Sequence, residues 1–331
     1  FAKETLKIKF ISAMKSTSYR FGIYKTGVGA FTTDFGKFNS ENYYATYFVN
    51  YNSSYTVGRE TVNSVVEVTL VSTGGAENWS HAVQRSLETK EQQTVTLTQN
   101  WNANASSFGT GTGYDGGRLY VPAGADIVLR MGSYSINRGL TSANNYGSVF
   151  YVCGTLTIQG NNTSNYIRGG YVNGSNSTAR GGGAHVANGG VLNLQSGIFA
   201  GNSSTASSYG AGGVYVANGG TFNMSGGYVG YNNTTNSNVT LRGYNYSSGT
   251  KGAGGVVVMN NGKFNMTGGY IYGNTAGGAT SGGGVLLYEG ATMTLTAGRI
   301  GTSYANRATG TESAGGVFVM SGANIILGGG A

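Results

Sequence analysis

Carboxylates, imidazoles and thiols are sparse and widely spaced beyond residue 115. They are Asp126, Cys153, His185, Glu289 and Glu312, with His81 ahead of them. Hydrolysis of a glycosidic bond needs two carboxyl groups roughly 5–9.5 Å apart, one as acid and one as base or nucleophile. Glu289 stands in LLYEGAT and Glu312 in GTES, at different corners of neighbouring repeats, so they are not expected to converge. Calcium requires several oxygen ligands, usually carboxylates, and no Asp cluster supplies them. Neither histidine has a second His or a Cys at zinc-ligand spacing, and no segment resembles a nucleophile elbow. The many GxG matches are not followed by helices, as phosphate loops would be. No catalytic residue, metal site or cofactor is expected.

The background of these residues is a strand-and-turn composition. There are 60 glycines but one proline, Pro122, which excludes collagen. Apolar residues make up 39 % and charged residues 10 %, the reverse of a disordered chain. A single cysteine excludes an internal disulfide framework, and Cys153, in SVFYVCGTLTI, reads as a small buried or turn residue. Residues 1–115 hold 10 Lys/Arg and 9 Asp/Glu, net +1; residues 116–331 hold 10 and 3, net +7. The basic residues do not cluster, so no nucleic-acid partner is expected. No apolar run approaches the ~18 residues of a membrane span. The chain opens on Phe1 and closes inside a repeat, which reads as a segment of a longer protein.

What positions these residues is a repeat. GAGGVYVANGGTFNMSGGYVGYN at 210–232 recurs as GAGGVVVMNNGKFNMTGGYIYGN from Gly252 and as GGGAHVANGGVLNLQSGIFAGN from Gly181. The first apolar run of each copy ends at Val121, Val152, Val186, Val216, Val258, Leu287 and Val319, in steps of 31, 34, 30, 42, 29 and 32 residues. A core of about 21 residues is constant, and insertions follow its terminal GN. Three runs per copy, each too short for a helix, are separated by glycine pairs. Strict alternation puts Val214, Val216, Phe222, Met224 and Val229 on one face. Such a unit cannot bury its apolar face alone, and stacking does so. The expected fold is all-β, a parallel β-helix with three short strands per rung and about seven rungs over 116–331. At roughly 4.8 Å per rung that is a rod about 34 Å long.

GGA at 182–184, GGV at 212–214, 254–256 and 315–317, and FAGN at 199–202 resemble the GGA-I and F-x-x-N repeats of polymorphic outer-membrane proteins. They also resemble the Gly-rich β-helix repeats of large bacterial surface adhesins. Val229 and Ile271 stand where that pattern has phenylalanine. The resemblance implies a right-handed β-helix and an extracellular, cell-surface location.

Ahead of the repeats, TLKIKFISA, YRFGIYKTG, YYATYFVNY and VNSVVEVTLVST predict an antiparallel β domain over 1–75. ENWSHAVQRSLET predicts an amphipathic helix with Trp79, Ala82, Val83, Ser86 and Leu87 on one face and Asn78 or Ser80 as N-cap. With the strand QTVTLTQNW it forms a cap, 76–115, over the open end of the solenoid. The last rung has no such cover and is expected to be exposed.

Three columns of residues then come into register. The outward positions of the first strand, Tyr120, Tyr151, His185, Tyr215, Val257, Leu286 and Phe318, form an apolar and aromatic stripe. It is either a partner surface or the seat of a covering loop or domain. The outward positions of the middle strand include Thr155, Thr157, Asn193, Thr221, Asn223 and Asn265, an uncharged polar face suited to a glycan. Asn202, Asn232 and Asn274 end the third strand and predict an amide ladder along the axis. The expected function is non-enzymatic: a β-helical stalk, adhesin segment or surface-filament subunit, associating with itself, with other surface proteins or with glycans. The alternative is a polysaccharide-degrading or carbohydrate-binding β-helix, like a lyase or tailspike.

Overall fold

The computed structural model describes residues 18–21, 55–62, 65–72 and 75–328, apart from 106, 162–164, 231–245, 249 and 302–304. The chain divides into two compact units, residues 1–82 and 83–331.

In the first unit, β1 (Ser18–Phe21), β2 (Tyr55–Val62) and β3 (Val65–Ser72) form an antiparallel sheet in the order β1-β3-β2. β1 overlaps the start of YRFGIYKTG, whose residues 22–27 lie outside the described residues, and β3 falls within VNSVVEVTLVST. β2 is an addition: Gly58, Arg59 and Glu60 interrupt its apolar alternation, so it carries no clear strand signal. TLKIKFISA and YYATYFVNY lie outside the described residues. Helix α1 spans Gly75–Thr89, which places Asn78 and Ser80 inside it rather than at its N-cap. Trp79, Ala82, Val83 and Ser86 are buried and Leu87 half-buried, as the helical periodicity requires. The boundary between the units falls inside α1, and within the second unit Ser86 Oγ accepts a hydrogen bond from the Asp126 amide at 2.8 Å, at the edge of the first rung.

The second unit is a parallel β-helix. First strands 119–121, 150–152, 184–186, 214–216, 256–258, 285–287 and 317–319 stack in parallel, with Val121, Val152, Val186, Val216, Val258, Leu287 and Val319 in one column. The middle strands align Ile127, Leu156, Leu192, Phe222, Phe264, Met293 and Ile325. The first six of these are buried to within 1 % and make the lumen. On the last rung Ile325 is 38 % and Leu327 68 % exposed. β4 (Gln93–Thr96) and β5 (Trp101–Asn102) pair in parallel with 126–130 and 136–137, adding a partial rung before the first full one.

Five of the rungs, from the second to the sixth, hold more than the three expected strands. A five-stranded parallel sheet joins 171–172, 203–204, 246–247, 275–276 and 307–308, and a four-stranded one joins 210–211, 251–253, 280–282 and 312–314. The segments after each GN, which look like loops in the sequence, therefore carry ladder strands too short and too polar to show as periodicity.

The corner between first and middle strands explains the NGG signature. Gly189, Gly219 and Gly290 take φ of 74°, 72° and 74° there, and Asn261 fills the same corner of the fifth rung at φ 54°. A left-handed residue is required, and glycine or asparagine supplies it at low cost.

Candidate functional site

The first-strand stripe is built as the alternation predicts, but it is not a free surface. His185 and Tyr215 are 3 % and 6 % exposed, Val257 and Leu286 are fully buried, and Tyr120, Tyr151 and Phe318 are half-buried. The cover is local. The short strands just before each glycine pair fold back, so Ala211 and Ala253 pack on Tyr215, Val257 and Leu286, joined by Tyr209, Met259, Phe318 and Met320. Of the two expectations, the covered one describes the stretch from His185 to Leu286, which is a second apolar core outside the lumen, although its cover is neither a long loop nor a separate domain. Proximity in sequence hides it, because Ala211 and Tyr215 are only four residues apart and the reversal between them is made by Gly212 and Gly213.

The lower half of this column is an aromatic ladder. Tyr120 and Tyr151 stack at 5.3 Å and 17°, Tyr151 meets His185 edge-on at 5.5 Å, and His185 lies 4.9 Å from Tyr215. The Arg118 guanidinium sits 4.1 Å from the Tyr151 ring centroid, a cation–π distance. Burial raises the Tyr215 phenol pKa to about 12. Burial, then the Cys153 thiol at the adjacent turn, raise those of Tyr120 and Tyr151. The Arg180 amide donates to His185 Nδ1 at 3.2 Å, so the ring is neutral with its proton on Nε2.

Burial, with Arg118 and Arg180 nearby, lowers the His185 pKa to about 3. An unfolded histidine takes up its proton near pH 6.5. The folded state thus gains from His185 its full contribution above about pH 6.5 and loses it as pH falls toward 3. At pH 5 the loss is about 2 kcal/mol, from 1.36 kcal/mol per pH unit. Thermal melts between pH 7 and 5 should therefore show a drop that is smaller in His185→Gln. Equal drops in the two proteins would remove His185 as the cause.

The middle-strand face is different. Asn193 Nδ2 donates to Thr157 Oγ1 at 3.0 Å, Asn223 Nδ2 to Asn193 Oδ1 at 2.8 Å, and Asn265 Nδ2 to Asn223 Oδ1 at 2.8 Å. The side-chain amide ladder thus runs on the outside of the solenoid. Asn193, Asn223 and Asn265 are half-buried, as are the flanking Thr155 and Thr221. Thr157 corrects the expectation: it is only 7 % exposed and serves as the terminal acceptor, so the accessible row begins at Asn193. Asn223, donating one N–H and accepting at one oxygen lone pair, keeps a second N–H and a second lone pair for an outside partner. A parallel row adds Gln159 Nε2 donating to Gln195 Oε1 at 2.9 Å.

The third-strand asparagines are wholly buried and act mainly on backbone. Asn202 Nδ2 donates to the Ile167 carbonyl at 2.8 Å and its Oδ1 accepts from the Gly170 amide at 3.0 Å. Asn274 Nδ2 donates to the Val229 carbonyl at 2.9 Å and also to Asn306 Oδ1 at 2.9 Å. Asn232 lies outside the described residues. Asn306 is a member the sequence concealed, because an insertion separates it from Ile300; the pairing of Arg307 with Thr275 reveals its place.

Glu289 and Glu312 are both exposed, on the turn after a first strand and at the start of a covering strand respectively. Glu312 lies within reach of Thr280 Oγ1, 3.4 Å away. Among the described residues no group of three or more His, Cys, Asp or Glu is arranged to hold a metal ion. No described helix is long and apolar enough to cross a membrane. The chain matches no family model, and no curated protein or solved structure is significantly similar to it.

Proposed function

We propose that this chain is a non-enzymatic structural and adhesive segment of a bacterial cell-surface protein. Its β-helix holds the middle-strand face against a neutral glycan. The observation that carries this reading is the accessible amide row Asn193–Asn223–Asn265, locked in register by its own hydrogen bonds. Amides fixed before binding lose little rotamer freedom on contact, which favours weak, repeated hydrogen bonds to sugar hydroxyls. The face is largely uncharged along this row, which suits an uncharged polymer, and the GGA/GGV repeats support the surface location.

The test is binding of the full chain to immobilised neutral polysaccharides, with Asn223→Lys as the probe. Lysine removes the central link of the row and puts a flexible charge where a sugar would lie. Each half-exposed amide bond is worth about 0.5–1.5 kcal/mol, so the fold should survive. Binding should fall at least tenfold. Binding unchanged in the variant would remove this face from the reading, and absence of binding by the unaltered chain would remove the glycan.

A further inference from the structure

The first rung buries more positive charge than it neutralises. Arg118 is fully buried and Arg138 is 2 % exposed. Arg118 forms an ion pair with Asp115 and donates to Thr178 Oγ1 at 2.9 Å and to the Thr178 carbonyl. The Asp115 side chain is itself 37 % exposed. Among the described residues no carboxylate pairs with Arg138. Its Nη2 donates to the carbonyls of Gly116 at 2.9 Å and Tyr146 at 3.3 Å, while Nε and Nη1 are buried without any hydrogen-bond partner. Arg118 Nε is in the same state. The Phe108 ring, 5.6 Å from the Arg138 guanidinium, accepts no conventional hydrogen bond.

Burial, and secondarily Arg118, lower the Arg138 pKa to about 10, so the group still carries its charge at neutral pH. A buried guanidinium with two nitrogens unsatisfied and no counter-charge is costly. Water would satisfy the hydrogen bonds and leave the charge; an anion satisfies both. The neighbourhood also sets the size. At Gly117, φ 77°, an added Cβ would lie 2.7 Å from Ser107 Oγ and 3.1 Å from Arg138 Nη1. A side chain at residue 117 would collide with both, so the surroundings of Arg138 Nη1 are narrow and exclude an organic group.

We propose that a small inorganic anion of halide size binds at the Nε/Nη1 edge of Arg138, as a structural part of the first rung. Two measurements on the full chain test this. Crystals soaked in bromide should show an anomalous peak within hydrogen-bond distance of Arg138 Nε or Nη1. At constant ionic strength, the melting temperature of the unaltered chain should rise saturably with chloride, and Arg138→Met should abolish that rise. A map with only water at Arg138, a chloride-insensitive unaltered chain, or a rise that persists in Arg138→Met would each overturn the proposal. The bromide map does not depend on the variant folding.

Discussion

A methyl group added at Gly170 should pull the second and third rungs apart. Its Cβ would lie 1.8 Å from the carbonyl oxygen of Gly182 and 3.1 Å from that of Gly147. The Gly182 oxygen is already engaged, accepting from the Val149 amide at 3.0 Å across the rung boundary. Gly170 itself donates to Asn202 Oδ1 at 3.0 Å. No flexible side chain stands there to yield; backbone must move, and with it two inter-rung bonds. Overpacking costs 1–3 kcal/mol in ordinary cores and more where backbone is struck, so Gly170→Ala should cost about 3 kcal/mol or more. The control is Gly124→Ala. Gly124 has φ 84° and nothing within 4 Å of an added Cβ, so only the left-handed conformation is penalised, by about 1–2 kcal/mol. Denaturant melts of the two variants separate the causes. A loss at Gly170 no larger than that at Gly124 would mean that the close approach relaxes at little cost.

Phe264→Ala should be about as damaging, for the opposite reason. Phe264 stacks on Phe222 at 4.9 Å with the rings 7° from parallel, and both are fully buried. Met293 follows Phe264 in the same column, and Leu192 precedes Phe222. The rungs above and below are fixed by backbone ladders, so the cavity cannot close. The expected loss is about 3–5 kcal/mol, against under about 1.5 kcal/mol for Phe264→Leu, which keeps most of the volume. Ile325→Ala, in the same column on the exposed last rung, should cost far less. A loss below about 1 kcal/mol for Phe264→Ala would show that the lumen relaxes inward, and that the stacked ladders are softer than the register implies.

These two results bear on the adhesive reading. The amide row holds its spacing only if the column beneath it does, since Asn223 and Asn265 lie next to Phe222 and Phe264 in their strands. Damage to the lumen should therefore appear as weakened glycan binding before the chain unfolds.

The register of the solenoid was legible in the residues themselves. Alternation within a strand is a local property, and seven apolar runs at similar spacing leave one alignment that buries every Val/Leu column. The glycine and asparagine corners were legible for the same reason, because a left-handed φ is a demand on one residue at a time. What lay beyond the sequence was which outward side chains meet water. Tyr215 and Val257 point away from the lumen as expected, yet Ala211 and Ala253 fold back over them. Asn193, with the same outward sense on the next strand, stays accessible. The buried charge on Arg138 was equally hidden, because its surroundings, Phe108, Gly116 and Tyr146, come from other turns of the chain. Period and corner are set by neighbours along the chain, so sequence alone determined them. Exposure and the environment of a charge depend on segments brought together by folding, and only the tertiary structure decided those.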